Sequence, residues 1–374
     1  GKDDDIKAVS FFSPEPFLVE LLDKDGGVAR RLCFDDFGDS EGRPVFFFHG
    51  QPASRVLGAI FHKPAFYAGL RFICIDRPGQ GGSEFVQSRT IADWPTDVET
   101  VANALKINRF CVAGWSGGGV AHAMATAARL PDRVISAHAF ASTVPVGRGV
   151  SLPADVKASI PRTEKLWGAV CRVLGDWPMI VSFAMMKYFA YYRPAHCLRS
   201  LKEGLPVTDQ KIINNNSVIL VDNLQEAFRM GTAGARQDAL LTYRDWQVDF
   251  PSISCPVHFW HGQEDPIIPA AVSQFCATQL AKTGHFHPLP NAGHFFPFDD
   301  LLMKKWMGAL KDDLDKDATA TNARSTAAQL AGAANVSHSQ STDQPLIRST
   351  DRLKVSEASD SRSGSRKARL RGRR

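Results

Sequence analysis

The residue best placed to do chemistry is Ser116, which stands in the middle of a G-x-S-x-G pattern formed with Gly114 and Gly118. This pattern is typical of a sharp turn from a strand into a helix, where the serine hydroxyl is left exposed at the end of a sheet. The flanking glycines carry no Cβ atom, so the strand and the helix can approach closely. A serine hydroxyl alone is a poor nucleophile, and the chemistry also requires a base and an oxyanion site.

Candidates for the acid and the base follow later in the chain, in the order acid then histidine that this pattern requires. Asp265 lies in the loop that leaves an apolar segment at 257–260, and the adjacent Glu264 is the alternative acid. His294 comes directly after the turn formers Asn291 and Gly293. We expect the imidazole of His294 to reach the serine and act as the base.

Two backbone N–H groups are expected to form the oxyanion site. One belongs to Gly117, the residue after the serine, and the other comes from a loop after an earlier strand. The apolar segment at 45–48 predicts that strand, and Gln51 begins its loop, so the Gln51 N–H is the second candidate. His49 and Trp115 adjoin these donors and are the candidates for side chains lining a substrate pocket.

Five segments in this order resemble the α/β-hydrolase superfamily. They are HGQP at 49–52, DRPGQGGS at 76–83, GWSGG at 114–118, HGQED at 261–265 and GH at 293–294. The resemblance covers about residues 30–310 and implies a serine nucleophile at Ser116, an acid at Asp265 rather than Glu264, and a base at His294. Relatives with an aspartate nucleophile, such as haloalkane dehalogenases and epoxide hydrolases, are disfavoured because position 116 is serine.

Strand and helix patterns predict an α/β fold with a doubly covered, mostly parallel sheet. An antiparallel hairpin is expected at 17–22 and 28–34, at the sheet edge. Central parallel strands are apolar on both faces because helices cover both. Such runs occur at 45–48, 72–75, 110–113, 134–140 and 257–260.

A helical cap is expected between two core strands, because the chain between Ser116 and Asp265 is longer than one more strand and helix require. We divide the chain into a first core part at 1–145, the cap at 146–240, a second core part at 241–311 and a disordered basic tail at 312–374. A cap excludes water and shapes the pocket. Its large apolar residues are expected mainly in its own core, and a membrane-surface patch at 177–186 is the alternative; they include Trp167, Trp177, Met185, Met186, Tyr188 and Tyr191.

The net charge of +5 resides mostly in the tail, where basic residues outnumber acidic ones by four. We therefore expect no nucleic-acid partner for the core, whereas the basic end at 366–374 is suited to acidic surfaces. No pattern for a nucleotide or phosphate loop is present, so no cofactor is predicted. His285 and His287 share a strand face without an evident third ligand, and no metal site is predicted.

Seven separated cysteines indicate a reducing compartment. With no secretory signal and no apolar stretch of bilayer length, this predicts a cytoplasmic location.

Three function classes remain open. The first is a cofactor-independent serine hydrolase that acts on a carboxylic ester or related small acyl substrate through an acyl-enzyme. The second keeps the same three residues in an aminopeptidase, a lactonase or a C–C bond hydrolase. An aminopeptidase needs an acidic cap residue for the substrate amine, and Glu164, Asp176, Glu203 and Asp222 are available. The third is a non-catalytic protein that holds a small ligand on the same fold.

Overall fold

One sheet forms the centre of the protein, and the computed structural model describes it over residues 16–22, 28–143, 152–174, 176–338 and 369–370. Its strands are β1 (Phe17–Leu22), β2 (Val28–Gly38), β3 (Arg43–Phe48), β4 (Leu70–Ile75), β5 (Phe110–Trp115), β6 (Val134–Phe140), β7 (Val257–Gly262), β8 (Gly284–Leu289) and β9 (Arg369–Leu370). Across the sheet they follow the order β8-β7-β6-β5-β3-β4-β2-β1-β9.

The strand directions agree with the predicted mixed sheet. From β4 through β3, β5, β6 and β7 to β8, every neighbouring pair is parallel. β1 and β2 form the predicted antiparallel hairpin, and β2 also pairs antiparallel with β4. The carboxyl ends of the parallel strands therefore meet at one edge, where loops from distant parts of the chain can converge.

Helices cover both faces of the sheet and explain why the central strands are apolar throughout. In β3, Phe46 and Phe48 belong to one core cluster, whereas Val45 and Phe47 belong to the other. This alternation follows from the two-residue period of a strand. The helices of the core are α1 (His62–Ala68), α2 (Trp94–Ala104), α3 (Ser116–Arg129), α11 (Ala270–Gln279) and α12 (Asp300–His338), with 3₁₀ turns at Arg55–Phe61, Ile91–Asp93, Phe250–Ser252 and Phe296–Phe298.

The segment between β6 and β7 is helical, as expected for a cap. Its helices are α4 (Ala154–Ser159), α5 (Arg162–Leu174), α6 (Trp177–Tyr192), α7 (Pro194–Lys202), α8 (Val207–Asn215), α9 (Ser217–Ala227) and α10 (Ala233–Thr242). A small apolar core joins α6, α9 and α10 around Met179, Phe183 and Phe228. Several of the large residues expected in this core lie elsewhere: Trp177, Met185 and Tyr188 are more than half exposed. The Trp167 side chain lies outside the described residues.

The helix α12 continues well beyond residue 312, where the sequence predicts a disordered tail. Leu314 is buried in the core, and Asp317 forms an ion pair with Arg109. Asp315 likewise pairs with Arg43. The difference arises because these acidic residues have partners on the core and the following alanine-rich segment has a high helix propensity. Most of the predicted tail, 339–368 and 371–374, lies outside the described residues.

None of the described helices combines the length and hydrophobicity needed to cross a bilayer. The six cysteines whose side chains the structure describes are buried and unpaired with one another.

A buried arginine connects the cap with two strands of the core. Arg55 lies 2.8 Å from Asp35 on β2, 2.6 Å from Asp76 at the end of β4 and 2.6 Å from Glu226 on the cap helix α9. Three carboxylates thus share this guanidinium. Burial raises the pKa of Asp35 to about 7, with Arg55 opposing the shift and Asp76 adding to it.

A second buried network connects α10 of the cap with the core. The Asp238 carboxylate lies 2.7 Å from Arg77 and 2.5 Å from Arg89, and all three side chains are buried. Burial alone would raise the pKa of Asp238, but the two guanidinium groups hold it far below its usual range. The same Arg77 donates hydrogen bonds to the carbonyls of His49 (2.6 Å) and Gly50 (2.7 Å).

The raised pKa of Asp35 predicts a pH-dependent stability. Between about pH 4 and 7 the unfolded chain ionises Asp35 while the folded protein retains the proton, so the free energy of unfolding falls as the pH rises through this range. The contribution is about 1.4 kcal/mol for each pKa unit. Urea unfolding at pH 4.5, 5.5, 6.5 and 7.5 should give a flatter profile for Asp35→Asn than for the parent, whereas the exposed Asp312→Asn should leave the profile unchanged. Identical slopes for Asp35→Asn and the parent would contradict the assignment.

Neutralising Asp238 should destabilise the protein strongly. Asp238→Asn leaves two buried guanidinium groups without their counter-charge, which typically costs about 3–5 kcal/mol. The free energy of unfolding in urea measures this loss, with the exposed Asp245→Asn as the control. A loss below about 1 kcal/mol would show that Arg77 and Arg89 do not depend on this carboxylate.

Candidate active site

Ser116 lies at the junction of β5 and α3, as the sequence pattern predicts. Its backbone has a φ of 60°, in the left-handed region that non-glycine residues rarely adopt. A Cβ atom at Gly114 would collide with the backbone of Gly119, and one at Gly119 would collide with the carbonyl of Phe48. The glycines are therefore required by the close approach of α3 to the sheet, and Gly119 adds to those predicted.

The structure brings Ser116, His294 and Asp265 together in one hydrogen-bonded chain. His294 Nε2 lies 3.1 Å from Ser116 Oγ, and His294 Nδ1 lies 2.7 Å from Asp265 Oδ2. An Nδ1–H donating to the carboxylate leaves the Nε2 lone pair directed at the serine hydroxyl. Glu264, the alternative acid, is exposed and takes no part in this chain.

The Asp265 carboxylate is held in its ionised form. Burial would raise its pKa, but the neighbouring His294 and hydrogen bonds from His261 and His294 hold the pKa well below its usual range. Its other oxygen accepts hydrogen bonds from the N–H groups of Ile267 (2.8 Å) and Ile268 (3.0 Å). An anion fixed in this way orients the imidazole and stabilises its protonated form.

The loop carrying His294 is fixed from the cap by Asp209, a residue that sequence reasoning missed. The Asp209 carboxylate accepts hydrogen bonds from the N–H groups of His294 (2.7 Å) and Phe295 (3.0 Å), and it is fully buried. Burial raises the pKa of Asp209, while these two hydrogen bonds oppose the shift. From the other side, Trp115 Nε1–H donates to the His294 carbonyl at 3.0 Å. No motif marks Asp209, which in the sequence looks like an ordinary acid in the first turn of a helix.

The two candidate oxyanion donors belong to segments that meet at the serine. Gly50, the neighbour of Gln51, lies so close that a Cβ atom there would be 3.5 Å from Ser116 Cβ. Gly117 occupies the second position of α3, where an N–H has no acceptor within the helix. Arg77 holds the carbonyls of His49 and Gly50, and the next N–H, that of Gln51, has no acceptor among the described residues.

The two predicted pocket residues have different positions. Trp115 lines a cavity at the serine. His49 does not: it is buried beside Arg77, Asp238 and His122, and its Nδ1 lies 2.9 Å from the Gly50 carbonyl. The prediction for His49 is therefore wrong. The His49 imidazole belongs to the buried charged surroundings of Arg77 and Asp238, which the motif alone does not reveal.

The cavity has a volume of about 690 Å³ and lies between the cap and the core. Ser116 and His294 are part of its wall. Most of the remaining wall is apolar, and no Asp, Glu, Lys or Arg is among its lining residues in the described part of the chain. The apolar residues that the cap contributes include Pro178, Val181, Met185, Met186, Phe189, Leu201, Leu220 and Leu224.

A cluster away from the serine has the residue types of a metal site. Ligand atoms of His138, His258 and Asp313 lie within 4.8 Å of one another. However, Trp260 Nε1–H donates to His138 Nδ1 (3.2 Å), so the neutral imidazole carries its proton on Nε2, which faces Asp313 at 3.3 Å. Burial lowers the pKa of His138 to about 4, which favours that neutral form. The donor set therefore fits a hydrogen-bonded network between the sheet and α12 better than a metal. The sequence missed this cluster because Asp313 lies in the segment assigned to the tail.

Comparison with known proteins gives the same picture of the fold. The chain is 26% identical over 251 residues to "Non-heme chloroperoxidase" of Streptomyces lividans, covering 64% of this chain and 80% of that protein. It is 25% identical over 278 residues to "Bifunctional esterase/perhydrolase DCH" of Acinetobacter calcoaceticus, covering 71% and 90%. A solved structure from a study of carboxylesterases of Nitrososphaera gargenis superposes with a TM-score of 0.56 at 14% identity, covering 80% of this chain and 100% of that one.

The family assignment rests on a match to a whole-family model. The model described as "Alpha/beta hydrolase family" matches residues 45–301, which is more than half of the chain. This range runs from β3, before the serine turn, to the start of α12, after the His294 loop. The chain therefore belongs to the α/β-hydrolase family.

Proposed function

We propose that this protein is a serine hydrolase that cleaves neutral carboxylic esters through an acyl-enzyme on Ser116. The observation that carries the proposal is the hydrogen-bonded chain from Asp265 through His294 to Ser116, opening onto an apolar cavity. The name of the Acinetobacter calcoaceticus relative, which includes an esterase activity, supports the same reaction class.

Each residue has a defined role in the proposed reaction. His294 Nε2 accepts the proton of Ser116 as its oxygen attacks the ester carbonyl carbon. The negative charge that develops on the carbonyl oxygen is bound by the N–H groups of Gln51 and Gly117. Protonated His294, stabilised by Asp265, then gives its proton to the departing alcohol. Water, deprotonated by His294, attacks the acyl-enzyme, and the acid leaves as Ser116 regains its proton.

The cavity wall supports an uncharged, largely apolar substrate. Its volume of about 690 Å³ is ample for a small or medium-sized ester. A charged substrate group would have to lose its hydration without a counter-charge in the wall, which is unfavourable. Gln51 and His294 supply polar groups beside Ser116, where the ester group itself would bind, and the cap adds the uncharged polar residues Ser182, Ser200 and Asn223.

The same wall gives little support to an aminopeptidase. That reaction needs a carboxylate to hold the substrate amine, and none of Asp176, Glu203 and Asp222 lines the cavity. The Glu164 side chain lies outside the described residues. A lactonase is an ester hydrolase with a cyclic substrate and is compatible with this wall, while nothing in the lining favours a C–C bond hydrolase. A non-catalytic ligand-binding protein would not require the aligned chain of Ser116, His294 and Asp265.

Labelling with a fluorophosphonate probe tests the activated serine. The parent protein should be labelled, and Ser116→Ala and His294→Ala should lose labelling together with at least about 10³-fold of the hydrolysis rate on p-nitrophenyl butyrate. Ser182→Ala is the matched control, since Ser182 also lines the cavity and should remain dispensable. Labelling that persists in Ser116→Ala, or a folded parent that neither reacts nor turns over esters, would overturn the proposal and favour a ligand-binding role.

Asp209 should act as a positioning residue for His294. Asp209→Ala removes both acceptors from the His294 loop, and a shift of about 1 Å in the imidazole can cost about 100-fold in rate. We expect kcat to fall about 10- to 100-fold with little change in KM. Asp222→Asn, on the neighbouring cap helix, is the control. A thermal unfolding midpoint measured in parallel separates this effect from global loss of structure, and an unchanged kcat in folded Asp209→Ala would refute the role.

A further inference from the structure

The cap helix α6 is apolar on two opposite faces, and only one of them is covered. One face packs inside the cap through Met179, Phe183 and Ala190. The other face presents a second apolar row to solvent, each member half or more exposed: Trp177, Val181, Met185, Tyr188 and Tyr192. We refer to these five residues as the outer stripe. Their spacing of three or four residues places them on one side of the helix.

An uncovered row of this kind indicates a binding surface. A surface helix of a globular protein normally presents polar residues to water opposite its buried face. Here Trp177 is 69% and Tyr192 71% exposed. A contiguous exposed apolar patch typically marks a site for another protein or for a membrane. The mixture of Trp and Tyr with aliphatic residues is characteristic of groups that reside at a membrane–water interface.

The charges on α6 and α7 favour one kind of partner for the outer stripe. Residues 177–202, which comprise α6 and α7, contain Lys187, Arg193, Arg199 and Lys202 but no Asp or Glu, and with the bordering Asp176 and Glu203 the two helices carry a net charge of +2. Arg193 and Arg199 are exposed. A second copy of this surface would bring like charges together, whereas an anionic lipid surface attracts them. We propose that the outer stripe of α6 binds to the surface of a bilayer that contains anionic lipids, as an interfacial helix lying in the plane of the membrane.

The outer stripe is continuous with the cavity at the serine. Val181 and Met185 belong to the stripe and also line the cavity. A bilayer bound at the stripe would therefore lie against the cavity wall, and an apolar ester could pass from the lipid phase to Ser116 without crossing bulk water. This supply of substrate rests on the proposed function, whereas lipid binding itself does not.

Co-sedimentation with vesicles tests lipid binding independently of hydrolysis. The full chain carrying Ser116→Ala should partition to vesicles of phosphatidylcholine with 30 mol% phosphatidylserine about tenfold more strongly than to phosphatidylcholine alone. The triple change Trp177→Ser, Tyr188→Ser and Tyr192→Ser, which replaces no residue of the cavity wall, should reduce partitioning at least tenfold. Tyr67→Ser is the matched control, because Tyr67 on α1 is an 85% exposed aromatic outside the cap.

The contribution of the basic residues has its own variant. Arg193→Gln with Arg199→Gln should remove most of the preference for phosphatidylserine, and 0.5 M NaCl should do the same to the parent. Equal sedimentation of the parent and the triple variant would overturn the proposal. So would a concentration-dependent dimer that the triple variant abolishes without any vesicle binding, since the occupant would then be a second copy. Hydrolysis of p-nitrophenyl butyrate in the absence of vesicles, by the same surface variants with Ser116 restored, reports separately on the proposed function.

Discussion

The docking of the cap on the core depends above all on a carboxylate that is buried between two guanidinium groups. Asp238 comes from the cap, whereas Arg77 and Arg89 come from the core. These two ion pairs therefore form only when both parts are in place. In a medium of low dielectric constant, separating them would leave unsolvated charges, which makes alternative docking angles of the cap costly. Arg77 transmits this constraint to the loop before Gln51 through the carbonyls of His49 and Gly50.

The candidate base is likewise fixed by both parts of the molecule. Asp265, in the core, contacts the imidazole ring of His294, and Asp209, in the cap, contacts its backbone. A cap attached in this way cannot be regarded only as a cover over the pocket. Any motion that displaces α8 would also displace the His294 loop, and access to the cavity would then be coupled to the alignment of the reacting groups.

Sequence reasoning succeeded where information is local. The turn at Ser116, the β1–β2 hairpin and the apolar parallel strands each depend on neighbouring residues, and the structure has them as predicted, except that β9 and not the hairpin is outermost at that edge. Asp209 and Asp238 could not be found in this way, because a single acidic residue on a polar helix gains its role only from partners more than 80 positions away. For His49 the motif marked the loop at the serine correctly. It did not reveal that the imidazole is buried near Arg77 and Asp238 instead of lining the cavity. The predicted start of the disordered tail at residue 312 does not match the extent of α12. Composition does not reveal the ion pairs that Asp315 and Asp317 form with the core.

The C-terminal helix has a practical consequence for defining the folding unit. Asp313 accepts a hydrogen bond from buried His138, and Leu314 fills the same side of the sheet. A chain shortened at residue 311, where composition changes, would leave that histidine without its acceptor and open a gap beneath β6. A shortened chain that keeps these contacts should therefore extend at least to Asp317, which forms an ion pair with Arg109. A fusion partner or affinity tag joined to the chain before Asp317 would take the place of the part of α12 that packs on the core.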